Sequence, residues 1–342
     1  MNFNWPIIGH DKLKKNLQTG IRNQSMAHAY LFYGPKKVGK TLTAKFFAKS
    51  ILCENYRKRF YGKAGDDTTP CGQCSACRQV ENRIYPDLYF LERESAKKSG
   101  VKQQISVSQV RDLLTRINKR SFLNSYKVVI IPEAEYLSVQ AANSLLKTLE
   151  EPFAKTVIIL IAGEKRNILP TILSRSRILK FLPVARTAIY DYLVEKGANR
   201  ELAKELSFMA HGRPTVAMKL FTDKELLREY RQMNKEILGL LKNDVIEKFK
   251  QIEQHTKKGQ DKEKIQQKLT YLTGLLRDVL LVKNYKRELL ANPYLEEELS
   301  VFAEQKSTGE LCRLIYGAEQ AKEYIKANIN SRLVLENLLL NN

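Results

Sequence analysis

The chain has 342 residues, of which 43% are apolar, so it is long enough for two or three domains with sizeable cores. Its 58 Lys and Arg residues against 37 Asp and Glu residues give a formal net charge of +21. This balance favours an acidic partner, nucleic acid first, over a merely solvated basic surface. No apolar run reaches the roughly eighteen residues of a membrane span, and Met1–Pro6 lacks the features of a signal peptide. We therefore expect no membrane segment and a cytoplasmic location.

Five short apolar runs in the first part of the chain predict the strands of a sheet. The runs are mostly continuous rather than alternating, which is typical of parallel strands buried on both faces. Helical patterns such as Leu42–Leu52 and Gln140–Leu149 lie between them, so residues 1–183 are predicted to form an α/β domain: a parallel five-stranded sheet with helices on both faces. The predicted strands are Ala29–Tyr33, Leu88–Leu91, Lys127–Ile131, Thr156–Ile161 and Ile178–Phe181.

The strand patterns end after Pro183. Residues 184–224 are predicted to form a small helical domain of three short helices, and residues 225–342 an all-α C-terminal domain. Within the latter, the polar stretch Gln254–Lys264 is interpreted as a solvated helix face or loop, and Cys312 as a buried apolar residue. The three short helices are Ala185–Lys196, Arg200–Ala210 and Pro214–Thr222.

A glycine-rich segment follows the first predicted strand and precedes a helix. It fits the pattern G-x-x-x-x-G-K-[ST], whose glycines let the backbone form a nest of N–H donors around phosphates. Lys40 would reach the β- and γ-phosphates, and the Thr41 hydroxyl would bind Mg²⁺. This setting favours binding of ATP or ADP over a chance glycine turn. The predicted nucleotide-binding residues are Gly34, Pro35, Lys36, Lys37, Val38, Gly39, Lys40 and Thr41.

A P-loop ATPase also needs an acid at the end of another apolar strand to hold Mg²⁺ and orient water, and the candidate strand here is Val128–Ile131. Pro132 occupies the position where a metal-binding Asp is expected, and Pro has no carboxylate. Glu133 could still polarise a water molecule as a weak catalytic candidate, and Glu135 could reach the metal. Alternatively, both glutamates simply open a helix at its positive end. The pattern predicts a weak or absent intrinsic ATPase.

Four cysteines have the spacing of a structural zinc site. Cys53, Cys71, Cys74 and Cys77 would supply four thiolates, and the last three are separated by two residues each. The segment Glu54–Pro70 makes the first gap long, but loop entropy grows slowly with length, so the site can still close. Structural Zn²⁺ is favoured over free thiols.

Several segments in the first 215 residues resemble the bacterial DNA polymerase III clamp-loader subunits of the AAA+ family. They occur in the family's order, and the four-cysteine module after the P-loop helix is part of the likeness. The C-terminal third carries no matching motif. The matching segments are Ile7–His10, His28–Pro35, Tyr126–Ile131, Ala141–Pro152 and Ile168–Ser176.

The resemblance implies a domain plan and a residue that acts on a neighbour. Residues 1–183 would be an AAA+ nucleotide-binding domain with the zinc module inserted at 53–77, residues 184–224 a helical lid, and residues 225–342 an oligomerisation collar. Arg175, in Ser174-Arg175-Ser176, would be an arginine finger that points in trans into the ATP site of the adjacent subunit. The alternative is that Arg175 makes a surface ion pair.

Two further positions differ from the family's motor subunits. Ala162-Gly163 stands where those subunits have a polar sensor, and Thr215 stands where they have a sensor arginine. Arg213 comes two residues too early for that role, and Gly-Arg-Pro at 212–214 is the delta-prime-like form. The resemblance is therefore to the delta-prime branch of the family.

These features imply a delta-prime-like subunit that binds nucleotide, supplies Arg175 in trans, and takes part in loading the sliding clamp onto primed DNA in replication. Its partners would be gamma/tau and delta subunits in a hetero-oligomeric ring, the clamp and primed DNA, with no membrane. Its location would be cytoplasmic and nucleoid-associated during replication. The alternatives are an active gamma/tau-type ATPase that uses Lys40, Thr41 and Glu133, and a P-loop small-molecule kinase, in which the cysteine module would have no role.

Overall fold

A computed structural model describes residues 5–55, 70–94, 104–121, 126–242 and 262–340. The chain forms two compact units, one of Met1–Ala188 with Arg213–Thr215 and one of Ile189–Gly212 with Val216–Asn342. Most of the segment Glu54–Pro70 and of the stretch Gln254–Lys264 lies outside the described residues. Within the described ranges, no helix combines the length and apolar character that a bilayer span requires.

A five-stranded parallel sheet forms the centre of the N-terminal unit, with the strand order β2-β3-β4-β1-β5. The predicted α/β fold class is confirmed, and the central strands β1, β3 and β4 are buried on both faces, as expected of a parallel sheet covered by helices. Tyr30 in the first strand pairs with Ile159 on one side and Arg177 on the other. The strands are β1 (Ala29–Tyr33), β2 (Leu88–Phe90), β3 (Lys127–Ile131), β4 (Thr156–Ala162) and β5 (Arg177–Lys180).

The two faces of the sheet bury separate apolar cores, because successive side chains of a strand point to opposite sides. In β1, Tyr30 and Phe32 belong to one core, and Ala29 and Leu31 belong to the other. The first core is covered by α1 (Asp11–Arg22), α2 (Lys40–Leu52) and α3 (Ser75–Glu81). The second is covered by α4 (Val107–Asn118), α5 (Val139–Glu150) and α6 (Pro170–Leu173).

The carboxyl ends of β1, β3 and β4 lie at one edge of this sheet, because the three strands are parallel. Gly34 follows β1, Pro132 follows β3 and Gly163 follows β4. In open parallel sheets this edge is where ligands bind, most often where the direction of the strand order changes. Here β1 lies between β4 and β5, so the chain crosses from one side of β1 to the other when it passes from β4 to β5. The topology therefore gathers the candidate nucleotide residues at one edge.

Helices make up the regular structure after β5. Their largest core is rich in leucine and includes Leu272, Leu276, Leu299 and Leu311. Because these residues recur at helical spacing, each helix buries one face against its neighbours. The helices are α7 (Arg186–Glu195), α8 (Arg200–Met209), α9 (Pro214–Thr222), α10 (Lys224–Lys242), α11 (Lys262–Lys283), α12 (Glu296–Gln305), α13 (Thr308–Lys326) and α14 (Ser331–Leu340).

One interpretation of the C-terminal region is wrong. Cys312 is exposed, not buried. It lies on α13 one residue after Leu311, and the buried positions of this helix follow the spacing of Leu311, Leu314 and Ala318. A step of one residue turns about 100° around a helix, so Cys312 faces away from the core.

Candidate nucleotide-binding site and cysteine cluster

The loop Gly34–Thr41 leaves β1 and enters α2 with a backbone that only its glycines accommodate easily. Gly34 has φ +143° and Gly39 has φ +105°, both in the region that side chains disfavour. A Cβ on Gly34 would lie 2.1 Å from the carbonyl oxygen of Phe181, the residue after β5. The Gly34 N–H donates to the carbonyl of Ala162 at the end of β4, 3.3 Å away. The loop is thus fitted between the ends of β4 and β5.

Lys40, the first residue of α2, points back into this loop. Its Nζ donates to the carbonyls of Gly34, at 2.5 Å, and Pro35, at 2.6 Å. The side chain is buried, and burial lowers the pKa of Lys40 to about 8, while the Glu135 carboxylate acts in the opposite direction. A cation surrounded by backbone dipoles at a helix N-terminus is the arrangement that attracts phosphate. The contacts of Lys40 thus bring the last part of the predicted nucleotide loop back to its first two residues.

Thr215 also meets the loop. Its N–H donates to the carbonyl of Lys37, 3.3 Å away, close to the start of α9. Lys37 itself has a left-handed backbone, with φ +66°. Arg213, two residues before Thr215, is exposed. The backbone of Thr215 thus lies beside the loop Gly34–Thr41, and position 215 carries no arginine.

The end of β3 carries Pro132 and then Glu133, whose carboxylate is already engaged. Arg93 donates to one oxygen of Glu133 from both Nε, at 3.0 Å, and a terminal nitrogen, at 2.7 Å. The Arg93 guanidinium also stacks 3.7 Å from the centre of the Tyr136 ring. The guanidinium thus fixes the orientation of the Glu133 carboxylate. The weak catalytic assignment of Glu133 stays a prediction.

Glu135 reaches the end of β4. Its Oε1 accepts the N–H of Gly163, 3.1 Å away, and its Oε2 is buried. Gly163 is the residue at the predicted sensor position, and a Cβ there would lie 3.3 Å from Oε1 of Glu135. The absence of a side chain at Gly163 thus leaves room for the carboxylate. Because Glu135 also acts electrostatically on Lys40, it belongs to the neighbourhood of the nucleotide loop.

Arg175 lies beyond α6, apart from that loop. Its side chain is 35% exposed and forms an ion pair with Glu150, with 2.6 Å between the nitrogen and Oε1. Its other terminal nitrogen donates to the Thr171 carbonyl, at 3.1 Å, and the Ser174 hydroxyl, at 3.0 Å. None of these partners belongs to Gly34–Thr41. The guanidinium is thus held at the surface by Glu150 and by two residues of its own segment.

The four predicted cysteine ligands come together. Their Sγ atoms all lie within 4.8 Å of one another, and the distances from Cys53 to Cys71 and Cys74 are 3.6 and 4.0 Å. Tetrahedral zinc with bonds of about 2.3 Å requires sulfur atoms about 3.8 Å apart, whereas a disulfide requires about 2 Å. The N–H groups of Cys74 and Cys77 each point to a cysteine sulfur, at 3.4 Å. The four residues can therefore hold a Zn²⁺ ion.

Electrostatics support the same interpretation of the cluster. A hydrogen bond with the Cys53 thiol and burial raise the pKa of Cys77. Four sulfur atoms at this spacing cannot all be thiolates without a cation between them. A divalent ion supplies that charge, and backbone N–H donors such as those of Cys74 and Cys77 stabilise the thiolates it binds.

The sheet order, the loop after β1 and the helices on both faces define an α/β P-loop fold of the AAA+ class. A family model described as DNA polymerase III, delta subunit, matches residues 9–185, and a model for the C-terminal part of that subunit matches residues 254–342. The chain belongs to this DNA polymerase III delta-subunit family.

Individual DNA polymerase III subunits are also similar to this chain in sequence. DNA polymerase III subunit delta′ of Bacillus subtilis (strain 168) is 28% identical over 331 residues, which cover 96% of this chain and 94% of that protein. Subunit delta′ of Pseudomonas aeruginosa is 37% identical over 206 residues, 59% of this chain and 58% of that protein. Subunit tau of Bacillus subtilis is 34% identical over 183 residues, 54% of this chain and 30% of that protein.

Two residues at these sites were not identified from the sequence. Arg93 pairs with Glu133, and Glu150 pairs with Arg175. Glu150 had one local signal: it is the last residue of α5, and an acid at the negative end of a helix is unfavourable unless a cation is near. Nothing in the spacing indicated which cation. Arg93 precedes a stretch outside the described residues and showed no pattern at all.

Proposed function

We propose that this chain is a delta-prime-type clamp-loader subunit that binds nucleotide without turning it over at an appreciable rate and supplies Arg175 to a neighbour's ATP site. The observation that carries the proposal is the complete G-x-x-x-x-G-K-[ST] loop after β1 together with Pro132 directly after β3. Phosphoryl transfer requires charge stabilisation at the metal and the attacking water, not nucleotide binding alone. The chain has the binding element and lacks the usual acid.

The chain's own site is proposed to hold ATP or ADP with Mg²⁺. Gly34–Thr41 supplies the backbone donors, Lys40 the cation for the phosphates and Thr41 a hydroxyl for the metal. The ion pair of Arg93 with Glu133 supports weak turnover, since it engages the first carboxylate after β3. Thr215, placed where an arginine would contact the terminal phosphate, supports the same reading.

Arg175 is proposed to act in trans. Its exposure, and anchors that lie outside its own phosphate loop, support this role. A guanidinium is always charged and donates bidentately, so it suits the charge that develops on the oxygens of a transferring phosphoryl group. The competing interpretation, an ion pair without function, predicts that removing Arg175 changes nothing in the assembled complex.

The remaining roles follow from the family. The partners would be gamma/tau and delta subunits in a hetero-oligomeric ring, the sliding clamp and primed DNA, in the cytoplasm and at the nucleoid during replication. The net charge of +21 supports contact with DNA. Residues 184–224 would be the lid and residues 225–342 the collar. Zn²⁺ held by Cys53, Cys71, Cys74 and Cys77 would be structural, because four protein ligands leave no open position.

The second candidate is an active gamma/tau-type ATPase, and the complete loop favours it. It would require Glu133 to leave Arg93. The small-molecule kinase is the weakest alternative, because it gives no role to the cysteine cluster or to Arg175.

A paired-variant experiment separates these functions. The chain is reconstituted with partner subunits, clamp and primed DNA, once as Lys40→Ala and once as Arg175→Ala. We expect Lys40→Ala to lose nucleotide binding in the isolated chain and to keep most of the complex's ATPase. Arg175→Ala should show the opposite pattern. Multiple-turnover hydrolysis by the isolated wild-type chain would favour the gamma/tau-type ATPase, and a phosphorylated small product would favour the kinase.

A further inference from the structure

Only one of the two carboxylate oxygens of Glu135 has a hydrogen-bond partner among the described residues. Its Oε1 accepts the N–H of Gly163, 3.1 Å away. Its Oε2 is buried and has no hydrogen-bond partner in the described part of the chain. A carboxylate oxygen can only accept, so its unmet need is a donor or a cation. Leaving such an oxygen buried without either is costly.

Lys40, the cation on which Glu135 acts electrostatically, does not meet that need. Glu135 raises the pKa of Lys40 through space, but the Lys40 ammonium donates to the carbonyls of Gly34 and Pro35. The site thus contains one anionic oxygen without a bonded partner, next to a loop built for anionic phosphates. A divalent cation between the phosphates and this oxygen would satisfy both.

The local chain geometry explains why this carboxylate arrives at the site. Pro132 leaves the position directly after β3 without an acid, and Glu135 follows in the single 3-10 turn Ala134–Tyr136. That turn sends the Glu135 side chain across to the end of β4, where the bare backbone of Gly163 binds it. The chain therefore brings a carboxylate to the end of β4 from a position three residues after Pro132.

We propose that Glu135 is a ligand of the divalent cation in the nucleotide site, through Oε2, with the Thr41 hydroxyl and the nucleotide phosphates as the other partners. The proposal rests on the nucleotide binding proposed above. Mg²⁺ prefers oxygen ligands, and at nucleotide sites it is held by one or two carboxylates together with phosphate oxygens and water. Glu133 does not fill this role, because Arg93 already holds its carboxylate.

The test measures metal dependence rather than turnover. Affinity for a fluorescent ADP analogue is titrated with Mg²⁺ and with chelator, and Mn²⁺ bound together with ADP is counted by electron paramagnetic resonance. Glu135→Gln keeps the size of the side chain and removes its charge. Glu151→Gln is the matched control, an exposed glutamate of the same unit that lies outside the nucleotide site and is changed in the same way.

For the wild type and for Glu151→Gln, we expect Mg²⁺ to tighten ADP binding by on the order of tenfold or more and one Mn²⁺ to bind with ADP. Glu135→Gln should lose most of that gain and the bound Mn²⁺, yet bind ADP in chelator. An unchanged metal response in Glu135→Gln, or wild-type binding that ignores metal, would overturn this inference alone. If the wild type binds no nucleotide with or without metal, the proposed nucleotide site is wrong, and this inference with it.

Discussion

Arg175 and Glu150 form an ion pair in which a nitrogen of the guanidinium lies 2.6 Å from the glutamate Oε1. The pair joins the residue proposed to act on a neighbour to the last residue of α5, where an acid on its own would be unfavourable. Thr171 and Ser174 hold the other side of the same guanidinium. Arg175 is therefore held in a defined orientation at the surface before any partner binds.

This arrangement predicts a measurable role for Glu150. Both members of the pair are partly exposed, so the pair contributes at most about 1 kcal/mol. Glu150→Ala should leave the chain folded and lower the ATPase of the reconstituted complex by no more than about fivefold, through a less ordered Arg175. Adding Glu150→Ala to Arg175→Ala should change nothing further. An independent loss in the double variant would show that Glu150 acts through another residue.

The cysteine cluster predicts stoichiometric zinc. Elemental analysis of the purified chain should give one Zn²⁺ per molecule, and Cys71→Ser should lose it together with part of the thermal stability. Cys312→Ser is the matched control, because Cys312 is an exposed cysteine outside the cluster. That variant should retain zinc and the wild-type melting temperature. Full zinc content in Cys71→Ser would contradict the assignment of the four ligands.

Nucleotide affinity should depend on pH through Lys40. Its pKa in the free chain is lowered to about 8, first by burial, and bound phosphates would raise it again. Below pH 8 the lysine is charged in both states, so affinity should be flat. Above pH 8 the free chain must take up a proton on binding, so affinity should fall by up to about tenfold per pH unit. Fluorescence titrations of an ADP analogue between pH 7 and 9.5 measure this.

The Glu135→Gln variant provides a control for the pH dependence of nucleotide affinity. Because the Glu135 carboxylate raises the pKa of Lys40, Glu135→Gln should move the start of the decline to lower pH. A decline at the same pH in both proteins would mean that Glu135 has no influence on Lys40.

We expect the free energy of unfolding of the C-terminal unit to depend strongly on Asp278. It is fully buried on α11 and accepts hydrogen bonds from the backbone N–H of Ala291 and from both the N–H and the side chain of Asn292. Asn292 in turn accepts from Asn234 on α10. Asp278→Ala would leave these buried donors unpaired and should destabilise the chain by roughly 2–5 kcal/mol. Denaturant unfolding measures this, and the exposed Asp223→Ala should change it by less than about 1.5 kcal/mol.

Most of the N-terminal architecture was predictable from the sequence, because most of its strands are short apolar runs whose ends are marked by glycine, proline or charge. β1 and β3 have the predicted limits, and the other strands differ only at their ends. The loop after β1 was predicted because its chemistry is local: eight consecutive residues carry it. The cysteines were predictable for the same reason, except for the long gap after Cys53.

The contacts across the chain were not predictable from spacing. The pairing of Glu133 with Arg93, of Glu150 with Arg175 and of Glu135 with Gly163 depends on which strand ends and loops become neighbours in the folded sheet. Cys312 was assigned to the core from its apolar character, but its position around α13 decides its exposure. Residue patterns along the chain therefore predicted the helices and strands, whereas the side-chain contacts between distant residues depend on the folded structure.

If Arg175 serves an ATP site on another subunit, its removal must lower the single-turnover burst of ATP hydrolysis by the assembled complex. The reconstituted complex is loaded with radiolabelled ATP, mixed with clamp and primed DNA, and the ATP hydrolysed per complex is counted. Arginine fingers accelerate hydrolysis by on the order of a thousandfold or more, so Arg175→Ala should remove one site's share of the burst. Arg166→Ala, a change at a more exposed surface arginine, should leave the burst intact. A full burst with Arg175→Ala would contradict the account.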